Sequence, residues 1–349
     1  MLLKTTHVTE LDYSGLIAET VMELRMAPRQ EQRQHRLSFD LSVGPPSAIR
    51  NYFDWLGNTV HTFSINGLHR RIKIIAVSVV DTARRTVELP AIADRWPLES
   101  GLDYTLFDFL QLQDPVADCA ELDALAKQMT PAAGSPLHEL VLGIVGMIGR
   151  DFRYEQGITT ATSTIADVLK HGGGVCQDFT HLMIALLRKL GVPARYVSGF
   201  IYAGHRGYRG ASQTHAWVEV FFPSIGWIGF DPTNGCATGE NFVKIAVGRH
   251  YRDVPPHRGV YRSNAKETMK VEVNTEELAE VSNRLVGERV LSLDVPVLNG
   301  NISGQYALGM LDEQVQQQQQ TCRPFVNVHS PGVSGKTPLR RGPEITKNV

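Results

Sequence analysis

Cys176 follows the run His171-Gly172-Gly173-Gly174-Val175, and His215 and Asp231 come later in the chain. A thiol nucleophile needs those residue types in combination. An imidazole takes the thiol proton, and a carboxylate on the other ring nitrogen fixes the tautomer and steadies the imidazolium that forms. The help matters, because an unperturbed cysteine of pKa about 8.5 is only roughly 3% thiolate at pH 7. A helix N-terminus adds to it, since the free N–H groups and partial positive charge there favour the thiolate.

The residues after Cys176 supply such a helix. Phe179, Met183, Ile184, Leu187 and Leu190 share one apolar face, and Gly191 and Pro193 end the pattern. Gly172, Gly173 and Gly174 carry no Cβ, so the turn has access to positive φ and a substrate carbonyl can approach the backbone beside the thiol. The Cys176 N–H then serves as one donor of an oxyanion site. Gln177 and Asp178 suit the first turn as solvating or capping residues. His181 lies on a different face of this helix from Cys176 and is given no role.

His215 opens the segment His215-Ala216-Trp217-Val218-Glu219-Val220-Phe221-Phe222, whose β-branched and aromatic content predicts a strand. Alternation places His215, Trp217 and Glu219 on one face and Ala216, Val218 and Val220 on the other. Asp231 ends a second strand-like run, Gly226-Trp227-Ile228-Gly229-Phe230, just before the turn Pro232-Thr233-Asn234-Gly235. Two neighbouring strands of one sheet therefore bring His215 and Asp231 together. Gly174, Tyr154 and Trp217 are the residues expected against the substrate, although Trp217 reads first as core or cleft wall and Tyr154 reads first as core.

At these positions the chain resembles a known family. Gly174-Val175-Cys176-Gln177-Asp178-Phe179, Thr214-His215-Ala216-Trp217-Val218-Glu219-Val220 and Gly226-Trp227-Ile228-Gly229-Phe230-Asp231-Pro232-Thr233-Asn234 are similar to the three signature blocks of the bacterial transglutaminase-like superfamily. The resemblance implies an α+β, papain-like core in which the helix bearing the cysteine packs on an antiparallel sheet bearing the histidine and aspartate. It also implies Cys176 as nucleophile, His215 as base and Asp231 as orienter. Residues 1 to about 85 resemble the β-rich N-terminal region that precedes this core in one bacterial subgroup. The segment from Ile245-Ala246-Val247-Gly248-Arg249 through Asp253-Val254-Pro255-Pro256 resembles the stretch after the aspartate block.

The function implied is amide-bond chemistry through an acyl-thioester on a peptide or glutaminyl substrate. Water as acceptor makes a peptidase or amidase, and an amine makes an acyltransferase. Two other classes compete. One is a non-catalytic peptide-binding module, whose mark would be a lost residue among the three. The other is a metalloenzyme using Cys176, His215, Asp231 and Cys236.

Composition is compatible with this reading without selecting it. The chain has 349 residues, 42% of them hydrophobic, and a net charge of −1, enough for a sizeable core in two domains. Near-neutral charge leaves no basic footprint for nucleic acid. Four cysteines are not a disulfide framework, and Cys119, Cys236 and Cys322 lack the spacing of a zinc site. No calcium loop of the Asp-x-Asp-x-Asp-Gly type is present, so no metal or cofactor is expected. The N-terminus turns polar after three residues and no run is long enough to span a membrane, which makes a peptide or protein substrate in the cytoplasm the expectation.

Along the chain, Ala18–Leu24, Leu37–Val43, Thr59–Ile65 and Ile72–Val80 alternate as strands, predicting an all-β domain over residues 1–85. A connection over 86–135 contains a short helix at Cys119–Lys127. The catalytic core then covers 136–273, beginning with a helix from Pro136 to Gly149 and ending with a strand at Met269–Val273. From Asn274 the sequence turns Gln-, Pro- and Gly-rich and is expected to be a disordered tail, with one helix at Glu276–Val286.

Overall fold

The computed structural model describes residues 1–82, 88–99, 101–160, 162–204, 207–211, 213–280, 287–297 and 308–310. Six strands come first: β1 (Leu2–Ile17), β2 (Thr20–Leu24), β3 (His35–Gly44), β4 (Ile49–Phe53), β5 (Thr59–Ile65) and β6 (His69–Asp81). Helices α1 (Ala120–Met129), α2 (Leu137–Asp151), α3 (Ile165–His171) and α4 (Cys176–Lys189) follow. Strands β7 (Ala194–Ile201), β8 (His215–Phe222), β9 (Gly226–Asp231) and β10 (Phe242–Gly248) come next. Then come β11 (His257–Arg262), β12 (Glu267–Glu277) and β13 (Gly287–Ser292), and a three-residue strand, Leu308–Met310, lies beside β11.

The N-terminal strands build a sandwich. One sheet has the order β12-β1-β6-β3-β13, and the facing sheet contains β11-β2-β5-β4. Leu11, Phe39, Leu41 and Ile74 of the first meet Met22, Leu24 and Phe63 of the second in one buried cluster. This region is not complete within residues 1–85. β11 pairs with β2 and β12 pairs with β1, Leu3 opposite Glu277 through Tyr13 opposite Glu267. The segment assigned by sequence to the end of the core thus belongs to the N-terminal sheets, because both sheets had an open strand edge to satisfy.

The tail expectation is corrected in the same way. Glu276 and Glu277 are strand rather than helix, since Thr275 and Glu276 stand opposite Thr5 and Lys4, and Lys4 Nζ reaches Glu276 at 2.8 Å. β13 adds a parallel strand beside β3, where Arg289 pairs with Asp40 and Arg36 with Glu288. The rest of the expected helix and the glutamine run lie largely outside the described residues.

The second unit surrounds α4. Its sheet runs β9-β8-β7-β10, all antiparallel, with the two-residue strand Cys236–Ala237 beyond β9. Ala216, Val218 and Val220 of β8 point into the same core as Phe179, Met183, Ile184 and Leu187 of α4, as alternation predicted. Helices α1, α2 and α3 cover the rest of α4, so nearly every residue of that helix is buried. Buried Arg188 fits there by giving its guanidinium to carbonyls: Ala194 at 2.9 and 3.1 Å, Gln111 at 2.9 Å and Arg249 at 2.6 Å.

Two amide side chains join the units. β10 is an edge strand, and its Lys244 N–H and C=O pair with the Gln34 side chain at 2.7 Å each. Val247 does the same with Asn58, at 2.8 Å both ways. Each amide imitates a strand neighbour, so the exposed ladder of β10 is satisfied by the N-terminal sandwich.

Candidate active site

α4 begins at Cys176 because the chain before it is anchored twice. Gly173 and Gly174 form a parallel bridge with Arg153 and Tyr154. Asp178, in the first turn, accepts the Val175 N–H at 2.8 Å and the Thr159 hydroxyl at 2.7 Å. Burial pushes the Asp178 carboxyl up to about 6, against the two hydrogen bonds that favour its charge.

The glycines serve that packing. A Cβ on Gly174 would lie 2.5 Å from Asp178 Oδ2, and one on Gly173 would lie 2.7 Å from the Arg153 carbonyl. Of the three glycines only Gly172 has positive φ, +62°, where it ends α3. The run is therefore required by close approach at two positions and by a left-handed cap at one.

His215 and Asp231 meet as the strand pairing implied. His215 Nε2 lies 2.8 Å from Asp231 Oδ2. The carboxylate, wholly buried, is also held by its own turn: Oδ1 accepts the Thr233 and Asn234 N–H groups at 2.9 and 3.2 Å, and Oδ2 accepts Asn234 Nδ2 at 2.6 Å. Burial works against charge on His215. The charge and hydrogen bond of Asp231 outweigh it, the interaction with Cys176 adds to them, and the imidazole is pushed up to about 10.

With Nε2 committed to Asp231, Nδ1 is the nitrogen left for the thiol. It is buried and, among the described residues, has no hydrogen-bond partner of normal geometry, yet Cys176 is close enough to contribute to the imidazole's shift. Such contacts tighten when substrate binds. Tyr196, fully buried, also feels Cys176 and Asp178, and burial followed by these neighbours drives its hydroxyl well above its ordinary range.

The other sequence-derived residues fall around this centre in different ways. The Tyr154 ring meets Phe179 edge-on at 6.2 Å and carries the Arg209 guanidinium 5.4 Å from its centroid. Trp217 is buried in a small cluster with Val197, Ile201, Phe242 and Val247, its ring centre 6.3 Å from that of His215. His181 Nε2 accepts the Tyr251 N–H at 3.1 Å. Cys236 stands opposite Asp231 in the strand ladder. Among the described residues no group of three or more His, Cys, Asp or Glu side chains is placed to hold a metal.

The sequence reading gave no role to four residues around the site: Thr159, Arg209, Gly210 and Asn234. Asn234 had a signal, its place in the turn directly after Asp231, where Asn side chains bond back to nearby backbone. Glu219 also gained a partner set from afar, Arg195 at 2.7 Å and Lys244, which continues to Glu31 of the N-terminal sandwich at 2.7 Å. These residues border a separate pocket of about 470 Å³ with Trp227. Among the described residues no helix is long and apolar enough to cross a membrane.

Comparison with known proteins agrees with this architecture. Residues 3–81 match the bacterial transglutaminase-like N-terminal region and residues 123–232 the transglutaminase-like superfamily. An uncharacterized protein of Mycobacterium tuberculosis strain H37Rv is 32% identical over 283 residues, covering 76% of this chain and 89% of the relative. A protein-glutamine gamma-glutamyltransferase of Pseudomonas aeruginosa is 37% identical over 65 residues, 17% of this chain and 10% of that protein. A Cytophaga hutchinsonii structure named “Putative Cysteine Protease” superposes with a TM-score of 0.65 at 23% identity, covering 89% of this chain and 98% of its own. The chain belongs to the transglutaminase-like superfamily, with that family's papain-like fold behind an all-β N-terminal region. Cysteine-based chemistry is the property that this family and fold support.

Proposed function

We propose that the protein cleaves or exchanges amide bonds through an acyl-thioester on Cys176. His215 Nδ1 takes the thiol proton, and Cys176 Sγ attacks the carbonyl carbon. The oxyanion forms beside the Cys176 N–H at the start of α4. Collapse breaks the C–N bond, and the imidazolium returns its proton to the leaving amine. Asp231 holds the ring and balances its charge throughout. Water or a second amine then releases the acyl group, with His215 again as base.

The observation that carries this reading is the buried 2.8 Å bond from His215 Nε2 to Asp231, which leaves Nδ1 for the thiol. A peptide module would gain nothing from burying a histidine and a carboxylate together beside a thiol. The matching segment of a protein-glutamine gamma-glutamyltransferase favours glutaminyl amides as substrates, and we place the reaction in the cytoplasm, where the thiol stays reduced. Recovery of the protein with the cell envelope would contradict that placement.

The test is intact-mass spectrometry after mixing with glutaminyl peptides, with and without an added primary amine. An acyl adduct on Cys176 that decays to free acid alone marks a hydrolase. An amide product that appears with the amine marks a transferase. No adduct and no product from any peptide, with the native fold retained, would contradict the proposal.

A further inference from the structure

The centre is closed to solvent: Cys176 and His215 are each 1% exposed and Asp231 0%. The segment Gly207–Ala211, between β7 and β8, lies over it. Gly210 sits so close to the imidazole that a Cβ there would come 2.5 Å from His215 Nδ1. Its φ of +83° is left-handed, which glycine alone adopts without strain.

Among the contacts that hold this segment, three bear on the site. The Tyr208 ring stands edge-on to Phe242 at 6.0 Å, and Phe242 also touches His215. The Arg209 N–H donates to Asn234 Oδ1 at 2.8 Å, and its carbonyl accepts Asn234 Nδ2 at 3.2 Å. Asn234 bonds Asp231 with the same amide, so the backbone of Arg209 is tied to the site itself. The third contact is the Arg209 side chain over Tyr154, and it is the exposed one.

That last contact is the one a ligand can exchange. An exposed guanidinium over a half-buried ring is held weakly, whereas a carboxylate receives two parallel charge-assisted hydrogen bonds from the same group. Among the described residues no carboxylate forms an ion pair with Arg209; the nearby Glu155 pairs with Arg153. We propose that Arg209 is a specificity-determining residue that binds a carboxylate of the acyl donor, leaves Tyr154, and draws Gly207–Ala211 off His215, so that acidic peptides are preferred. The inference rests on the acyl-thioester reading above, but it is testable without turnover.

Iodoacetate and iodoacetamide alkylate the same thiol and differ mainly in one negative charge. In the full-length protein the ratio of their rates at Cys176 is expected to be about tenfold higher than in Arg209→Ala, the effect of one close charge in a part-exposed site. Arg209→Gln is expected to match Arg209→Ala, and Arg209→Lys to keep only part of the effect. Raising the salt concentration should shrink the difference. Ratios within twofold of wild type in both Arg209→Ala and Arg209→Gln, with melting temperatures unchanged, would overturn the proposal. Because alkylation reads the thiol alone, absence of amide chemistry would leave this result standing, and the two failures are distinguishable.

Discussion

Gly174→Ala is the most local test of how the start of α4 is built. The new methyl carbon would lie 2.5 Å from Asp178 Oδ2, 2.7 Å from its Cβ and 2.9 Å from its Cγ. Asp178 cannot stay, and its bonds to the Val175 N–H and the Thr159 hydroxyl go with it. Overpacking costs about 1–3 kcal/mol, and a lost cap on a buried N–H about 1–2 kcal/mol. The chain will avoid part of both by shifting, so a net loss of about 3 kcal/mol is expected. Urea unfolding followed by tryptophan fluorescence reads it: with a slope of about 2–3 kcal/mol per molar, the midpoint should fall by about 1 M. The slope itself should stay constant. Thr159→Val, which removes one bond and no space, should cost about 1 kcal/mol. A Gly174→Ala midpoint shift worth less than about 0.5 kcal/mol would refute the packing account. Loss of thiol reactivity with stability intact would assign Gly174 to substrate approach instead.

Three further outcomes follow from a buried group and the late strands. His7 is buried in β1, its pKa lowered to about 3 by burial and then by the facing His257. The unfolded chain binds the proton below about 6.5 while the folded chain refuses it, so stability is full above that pH and falls between 6.5 and 3. Relative to His7→Gln, wild type should lose about 2 kcal/mol between pH 7 and pH 5 in chemical denaturation; equal losses would contradict the buried, neutral assignment. Ending the chain at residue 280 removes the exposed β13 with its surface ion pairs and the short strand Leu308–Met310 beside β11, and should cost only about 1–2 kcal/mol. Ending it at 266 removes β12, opens the whole length of β1, and should abolish folding; a folded, soluble product by circular dichroism would show that β12 is dispensable.

The centre was legible in the sequence because its parts are local. Cys176 after a glycine run, His215 at a strand start and Asp231 before a turn each depend on a few neighbours, and alternation along β8 fixed which side chains entered the core. β1 escaped because its inward face carries Thr5, His7 and Thr9 among Leu3, Leu11 and Tyr13, which blurs the apolar alternation. β12 was read too short, and its end as a helix start, because the glutamates that suggested a helix are specified by Lys4 and β1, over two hundred and seventy residues away. α3 carried a readable signal, the capping box of Thr164 and Asp167. Arg209 and Gly210 gave none, since their importance comes only from lying over Tyr154 and His215.

The most direct measurement is the site and rate of alkylation by substoichiometric iodoacetamide near pH 7, mapped by peptide mass spectrometry across Cys119, Cys176, Cys236 and Cys322. A thiol paired with an imidazolium that is retained up to about pH 10 should react first despite its burial. His215→Ala should slow Cys176 by at least tenfold and leave the other cysteines unchanged, and Asp231→Ala should do the same in weaker form. Preferred labelling of another cysteine, or a Cys176 rate unaffected by His215→Ala, would contradict the assignment of Cys176 as the activated nucleophile.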